Sequence, residues 1–311
     1  MHSLTKALVT AVALALLLAT PLHAADQVVP LPYQSPDKDG NTWMVHFYGY
    51  LQMQGNMPVY SNAGVLTVNG MNSAGRIVQR QAKIDGKTGE LVLENMQLGT
   101  VTVTRRFQFN KDQGYVRIID VIKNTQPRDQ QVQLVLASNA NYGVQNAQTL
   151  PDPKKKTQED AWVAQTSANN KAVVELMNGT GAKSPFDIQY QQGNSQVTAH
   201  LSVSIPASKE IAVMHVHAVT NGTAEGIDFV KKFNEAKALK DVAPALRKLI
   251  VNFKAGSAMY GDYEVLRGDM FDVIEMRTGD RFRGTLKDPD YQIQTLLGLL
   301  EPSRIVPVQG G

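Results

Sequence analysis

Residues 98–142, LGTVTVTRRFQFNKDQGYVRIIDVIKNTQPRDQQVQLVLASNANY, decide the fold of this chain of 311 residues. Between positions 101 and 109, β-branched, aromatic and long side chains alternate with polar ones, a pattern typical of a strand with one buried face. The turn at 110–114 leads to a returning strand at 115–124, and positions 131–137 give a third strand. We therefore predict three adjacent antiparallel strands and an all-β protein organised around them.

The turn also predicts which side chains meet across the first two strands. If Phe109 pairs with Tyr115, then Thr104 lies opposite Asp120, and Arg106 is its diagonal neighbour, within reach of a long side chain. We interpret Arg106 and Asp120 as a cross-strand charge pair. A role of the pair in a polar or acid/base site is the alternative.

These strands resemble a known family. The patterns V-x-V-x-R-x-F, D-x-G-Y and R-I-x-D-x-I-x-N, followed by an apolar strand, are similar to the β-supersandwich of galactose-mutarotase-like proteins. The resemblance extends over residues 27–222 and consists of strands, without a signature of catalytic residues. It implies a large antiparallel β-supersandwich. The same superfamily contains polysaccharide lyase domains and periplasmic glucan proteins, so it also implies a function connected with carbohydrates.

The N-terminus predicts export. Lys6 precedes the apolar run at 7–18, which is shorter than the roughly 20 residues of a membrane span, and Ala24 offers a cleavage site. The chain has no cysteine, so an exported form must rely on its core, as suits a bacterial periplasm. We expect a periplasmic or secreted protein that is not an integral membrane protein.

Charge and motifs exclude several classes of partner. The formal net charge is only +3, from 31 basic and 28 acidic residues, which gives no electrostatic reason to expect nucleic acid. The chain has no phosphate loop and no dinucleotide fingerprint. We expect neither nucleic acid nor a cofactor.

Periodicity divides the chain into a signal peptide at 1–24, a β-supersandwich at 25–222, a helical linker at 223–255 and a small barrel at 256–311. In the linker, Asp241 is predicted to cap a helix that has Pro244 in its first turn. The last unit resembles SH3-like and Sm-like barrels and should contain four short strands. A unit this small has a marginal core, so we expect docking or self-association, with a homo-oligomer as one possible outcome.

The most aromatic stretch, residues 43–54, offers a candidate ligand site. Read as one strand, it places His46, Tyr48, Tyr50 and Gln52 in a single row with a spacing of about 6.6–6.8 Å. One interpretation is a strand buried on both sides. The other is a platform that binds a glycan, because aromatic rings cover the C–H faces of sugars and neighbouring polar groups bind their hydroxyls.

Two histidines, His215 and His217, point to the same side of a predicted strand. Three interpretations stay open: half of a metal site, partly exposed residues near a strand end, or an acid/base site. No close third ligand can be named, since His46 and His200 are remote in sequence, and we therefore expect no metal. The family resemblance implies that a mutarotase would pair a histidine with a carboxylate, but no residue can be assigned to that role.

The sequence supports two functional hypotheses. The first is an exported bacterial envelope protein that binds glycan or protein partners without catalysis. The alternative is a carbohydrate-active enzyme of the mutarotase, epimerase or lyase type. An enzyme needs acid and base groups that converge in a cleft, and the sequence shows only scattered ones. It therefore favours binding.

Overall fold

The computed structural model describes residues 25–253 with six short gaps, together with five strand segments after residue 262. The gaps are residues 38–39, 56–57, 74–77, 153–156, 169 and 181. The predicted signal peptide at 1–24 and the last residues, 301–311, lie outside the described part of the chain.

The protein is dominated by antiparallel β-strands, as predicted, and three short helices follow the main group of strands in its described part. The strands are β1 (Gln27–Pro30), β2 (Tyr33–Pro36), β3 (Thr42–Val45), β4 (Leu51–Gln54), β5 (Tyr60–Val68), β6 (Met71–Asn72), β7 (Gln81–Ile84), β8 (Leu91–Leu98), β9 (Val101–Asn110), β10 (Tyr115–Asn124), β11 (Gln130–Ala140), β12 (Val144–Pro151), β13 (Glu159–Thr166), β14 (Ala172–Leu176), β15 (Asp187–Tyr190), β16 (Gln196–Ile205), β17 (Glu210–Thr220), β18 (Tyr263–Leu266), β19 (Asp272–Met276), β20 (Arg281–Lys287), β21 (Gln292–Thr295) and β22 (Gly298–Leu300). The helices are α1 (Thr223–Lys232), α2 (Glu235–Ala238) and α3 (Pro244–Leu249).

Strands β1 to β17 form a β-sandwich of two large sheets. Sheet 1 has nine strands in the order β1-β7-β8-β9-β10-β17-β14-β13-β12. Sheet 2 has the order β15-β16-β11-β5-β4-β3-β2, and β6 pairs with β5. Strands β18 to β22 form a separate antiparallel sheet in sequence order.

The central strands of sheet 1, among them β10, β14 and β17, are buried on both faces. On β10, Val116, Ile118 and Ile122 face sheet 2 and join the main core. Tyr115 and Ile119 face the opposite way and pack in a second core beneath the helical segment. Alternate residues of one strand thus enter two different cores.

The predicted alternation in β9 is confirmed, but the predicted register is wrong. Phe109 pairs with Val116, so Asp120 lies opposite Arg105 rather than Thr104. The chain reverses in the four residues between Asn110 and Tyr115, and Gly114 N donates to Asn110 O at 2.9 Å. A shift of one residue moves every side chain to the other face, so Arg106 is not the partner of Asp120.

The third predicted strand also lies elsewhere. Strand β11 belongs to sheet 2, between β16 and β5, whereas the neighbour of β10 is β17. Asn124 explains the crossing, because its buried Nδ2 donates to Arg128 O at 2.8 Å and to Ile205 O at 3.0 Å. These bonds turn the chain out of sheet 1 where β10 ends.

Residues 42–54 are a hairpin, which corrects the prediction of one continuous strand. Strand β3 pairs with β4, and the chain reverses at 46–50, which we call the aromatic turn. His46 N donates to Tyr50 O at 2.9 Å, and Gly49 N donates to His46 O at 2.8 Å. Gly49 has a φ of 78°, a conformation that glycine adopts without a steric penalty.

The helical segment packs on sheet 1. Pro244 lies at the start of α3, as predicted, but the cap position is Ala243 without a side-chain bond, so the prediction of Asp241 as the cap is wrong. The guanidinium of Arg117 reaches across from β10 to the carbonyl of Ala238 and to the carboxylate of Glu90. Buried hydrogen bonds therefore attach the segment to the sheet.

Two further features bear on the predictions. Strand β12 was not among the predicted strands, because its polar residues Gln145, Asn146 and Gln148 hide the alternation of an edge strand. The last sheet has five described strands instead of four; closure into a barrel depends on residues outside the described ones.

Among the helices described, none combines the length and apolar character needed to cross a membrane.

Candidate functional site

The aromatic turn brings three of the four predicted platform residues together, in a different arrangement from the predicted row. The His46 ring stacks on Tyr50 with centroids 4.7 Å apart, and it lies 5.1 Å from Tyr48. All three side chains are half-buried. Gln52 lies apart from them on β4, opposite Met44. The rings cluster at the tip of a hairpin, so the predicted spacing along one strand does not apply.

The aromatic turn is fastened to the core by an arginine. Arg105 Nη1 donates to the carbonyl oxygen of Gly49 at 2.5 Å. A methyl group on Gly49 would lie 3.1 Å from the Met96 side chain. The turn therefore covers one end of a set of charged residues between the sheets.

That set, which we call the buried row, crosses four neighbouring strands of sheet 1. Its members are wholly buried, and they are Arg105, Asp120, His215, His217 and Glu175. Arg105 Nε donates a hydrogen bond to Asp120 Oδ1 at 2.7 Å, and Arg105 Nη2 donates one to Asp120 Oδ2 at 2.9 Å. His215 Nε2 lies 3.2 Å from Asp120 Oδ2, and its Nδ1 lies 2.6 Å from His217 Nε2. An ion-pair contact of 2.8 Å joins His217 Nδ1 to Glu175 Oε2.

The contacts of the buried row differ in kind. Arg105 and Asp120 form a bidentate, charge-assisted pair. His217 Nδ1 and Glu175 Oε2 are close, but their geometry is not that of a hydrogen bond. A buried ion pair is tolerated only when its charges are compensated, and Arg105 compensates Asp120.

Burial and pairing shift the pKa values inside the row in ways that its geometry explains. Burial alone would raise the pKa of Asp120, but the charge of Arg105 and the contact with His215 outweigh it and lower that pKa to about 2. Burial lowers the pKa of His215 to about 4, although Asp120 opposes the shift. His215 is therefore neutral at pH 7.

No substrate reaches the buried row in this structure. A methyl group on Gly64 of sheet 2 would lie 2.8 Å from His215 Cε1, so the two sheets are in close contact there. Tyr60 covers the other side, with its ring edge-on to His217 and its hydroxyl donating to Val174 O at 3.0 Å. The prediction that His215 and His217 are partly exposed near a strand end is wrong.

The other predicted polar residues do not join the row. Arg106 is on the opposite face of β9, where it pairs with Glu90 and Asp85. His200 is half-buried on β16 beside Thr198, and His46 lies in the aromatic turn. Within the described residues, no three His, Cys, Asp or Glu side chains are arranged to hold a metal ion.

An accessible carboxyl lies in a cleft instead, at the ends of β13 and β14 beneath the helical segment. We call it the helix cleft; its volume is about 470 Å³. Apolar side chains form most of its wall, and these are Leu150, Leu176, Val230, Phe233 and Phe253. Its polar lining includes Asp160, Asn178, Lys231 and Glu235. An apolar cleft with a few polar groups is the usual form of a small-molecule site.

Asp160 is the distinctive group of the helix cleft. It is only 6% exposed, and Oδ1 accepts a hydrogen bond of 2.7 Å from Gln158 Nε2. Oδ2 accepts none from the described residues. Burial raises the pKa of Asp160, the bond from Gln158 partly offsets this, and the charges of Asp152 and Glu159 add to it, giving about 6. Near neutral pH this carboxyl can both take up and release a proton.

Sequence reasoning missed this site. Glu159 and Asp160 were not among the predicted strand residues, whereas they begin β13. The available signal was the position of these acids directly before the apolar residues 161–164. Acids at the start of a buried strand lie at the end of the sheet where its strands begin or end. The sequence does not predict that Phe233 and Phe253 line the same cleft as Asp160. They are about 70 to 90 positions away from it, and only the tertiary fold brings them close.

Comparison with known proteins gives structural matches alone, because neither a family model nor a curated protein matches the chain. Heparan sulfate lyase HepC from Pedobacter heparinus aligns at 8% identity over 80% of this chain and 40% of its own, with a TM-score of 0.43. A protein from the human microbiome assigned as a kojibiose phosphorylase aligns at 10% identity over 78% of this chain and 32% of its own, with a TM-score of 0.39. A protein from Escherichia coli K12 assigned as an aldose 1-epimerase aligns at 8% identity over 63% of this chain and 99% of its own, with a TM-score of 0.37.

These likenesses concern the β-sandwich fold, and the chain spans less than half of the lyase and of the phosphorylase. By their names, all three proteins are carbohydrate-active enzymes. This finding contradicts the sequence-based preference for a binding protein without catalysis.

Proposed function

We propose that this protein is a carbohydrate-active enzyme that works by proton transfer, of the mutarotase or epimerase type, with its active site in the helix cleft. The observation that carries the proposal is the buried but accessible carboxyl of Asp160 in an apolar cleft. A galactose-mutarotase-like assignment of the sandwich agrees with the strand pattern of residues 98–142.

The cleft offers the two kinds of contact that a sugar needs. The phenyl rings of Phe233 and Phe253 provide apolar surface for C–H faces. The carboxyl of Asp160 is available to a hydroxyl through Oδ2, and Thr180 and Lys231 line the same cleft. The cleft is large enough for one or two sugar rings, since ligand sites begin at about 300 Å³.

Mutarotation requires groups that exchange protons near neutral pH. In mutarotation, a base removes the proton of the anomeric hydroxyl while an acid protonates the ring oxygen; the ring opens and recloses on the other face of the carbonyl. In this scheme Asp160 is one of the two proton-transfer groups, and its pKa of about 6 keeps both of its forms populated.

The wider setting forms part of the proposal. An export signal at 1–24 would place the enzyme in the periplasm or outside the cell, where glycans or envelope proteins are its partners. The half-exposed rings of the aromatic turn would add a second contact for a longer glycan. The last five strands would form an SH3-like barrel that serves docking or self-association.

The test is turnover by the purified full chain on a panel of sugars. Polarimetry follows mutarotation of aldoses, and ultraviolet absorbance follows double-bond formation in uronates, the product of a lyase. We expect mutarotation above the buffer rate and a loss of about 100-fold or more in Asp160→Asn, within the range that general acid–base catalysis contributes.

Asp187→Asn is the matched control, because Asp187 is an exposed acid on β15 that is not among the residues lining the cleft. It should retain the wild-type rate. Equal rates in wild type and Asp160→Asn would remove Asp160 from the mechanism, and absorbance without mutarotation would move the protein to the lyase class.

A further inference from the structure

Asp160 is the deeply buried acid of the helix cleft. It lines the cavity and is only 6% exposed. Lys231 is the one basic side chain among the described lining residues, and it is exposed on α1. The buried ionisable group that a ligand meets in the described part of the cleft is therefore a carboxyl.

One carboxylate oxygen has capacity left for a ligand. Asp160 is more than nine-tenths buried and lines the cavity, and among the described residues only Gln158 donates to its side chain, on Oδ1. A charged donor bound to Oδ2 would lie in a site of low polarity, where charge-assisted hydrogen bonds are strongest. A second carboxylate brought to the same place would be repelled and desolvated without compensation.

We infer that the helix cleft selects sugars that carry a free amino group and rejects uronates, with the ammonium bound to Asp160 Oδ2. This inference rests on the proposed function, since it names the substrate class of the same site. It differs from what the lyase match alone would imply.

The experiment is calorimetric binding at pH 7 of three trisaccharides: the glucosamine trimer, its N-acetylated counterpart and the galacturonate trimer. The first two have the same backbone and differ by the charge of the amine. We expect the amine form to bind at least about tenfold more tightly than the acetylated form, as one charge-assisted contact provides, and the uronate not to bind. In Asp160→Asn the preference for the amine should fall to about twofold or less, while Lys231→Met should preserve it.

The outcomes separate the two proposals. If the acetylated trimer or the uronate binds as tightly as the amine, the selection for an amino group is wrong, whereas sugar binding in the cleft stands. If the amine preference persists in Asp160→Asn of unchanged thermal midpoint, Asp160 is not the ammonium partner. If none of the three binds, the selection for an amino group is wrong, and the mutarotation rate of monosaccharide aldoses decides the proposed function separately.

Discussion

At the scale of single residues, the buried row shows how much depends on a shift of one position. The sequence indicates that Asp120 meets an arginine of the preceding strand, and it does. It cannot distinguish Arg105 from Arg106, because the turn at 110–114 decides the register and both arginines are sterically acceptable. Likewise, the spacing of His215 and His217 predicts their common side, but only the packing of sheet 2 shows that this side is buried.

Gly64 tests how tightly the two sheets meet at the row. Gly64→Ala combines a positive φ of 64° with a contact of 2.8 Å to His215. Gly70→Ala is the matched control, since Gly70 has a φ of 75° and nothing within 4 Å of the added methyl. Denaturant unfolding should show a loss of about 1–2 kcal/mol for Gly70→Ala from the backbone alone. The loss for Gly64→Ala should be larger by about 1–3 kcal/mol from overpacking; equal losses would mean that the contact relaxes freely.

His215 predicts a pH dependence of stability. Its pKa falls from 6.5 to about 4 on folding, so the unfolded chain binds the extra proton between these values. The contribution to stability is present above pH 6.5 and is lost as pH falls through about 4, and it amounts to about 3 kcal/mol. Asp160 acts in the opposite sense, because its pKa is raised to about 6 and its contribution is lost as pH rises through that value.

The measurement is the free energy of unfolding from pH 7 to pH 4 in wild type and His215→Gln. Both proteins contain Asp160, so its contribution to the free energy of unfolding cancels in the difference between the two curves. We expect the wild type to lose the additional stability on acidification, whereas the variant, less stable at pH 7, changes less steeply. Parallel curves would contradict the burial of a neutral His215.

At the scale of secondary structure elements, alternation predicts strands well and neighbours poorly. Strand β10 was predicted with its observed bounds. Strand β11, by contrast, has the right position and the wrong sheet. Alternation reports which face of a strand is buried, whereas the choice of sheet depends on a loop, here on the side chain of Asn124.

The end of the helical segment depends on one side chain, Asn252. It is fully buried; its Nδ2 donates to Met177 O at 2.5 Å and to Met214 O at 2.6 Å, and its Oδ1 accepts from Met214 N at 2.9 Å. Asn252→Ala should lower the free energy of unfolding by about 3 kcal/mol, because buried backbone groups are left without partners. The exposed turn residue Asn194, changed to Ala, should cost about 1 kcal/mol or less.

The same variant reports on the helix cleft. Gly179 N donates to Asn252 O at 2.9 Å, and Phe253 follows in the cleft wall. Hydrogen exchange of residues 244–253 should therefore accelerate in Asn252→Ala before that of β9 and β10. Uniform acceleration through the whole chain would show that the segment does not open on its own.

At the scale of the whole molecule, the helix cleft forms where two parts of the chain meet. Strands β13 and β14 supply Asp160 and Leu176, and the helical segment supplies Phe233, Glu235 and Phe253. The sequence predicts both parts, a buried strand and amphipathic helices. It contains no local pattern for the space between them, because such a space is a consequence of tertiary packing. The functional interpretation of the sequence therefore rested on the aromatic stretch at 43–54 and on the pair His215 and His217.

The central claim, that Asp160 acts as an acid/base group in the helix cleft, is tested most directly by the pH dependence of aldose mutarotation in wild type and Asp160→Asn. We predict that the wild-type rate follows an ionisation near pH 6, set by the pKa of this carboxyl, and that the variant is slow and loses that ionisation. Asp187→Asn should reproduce the wild-type profile. An unchanged profile in a folded Asp160→Asn would contradict the account.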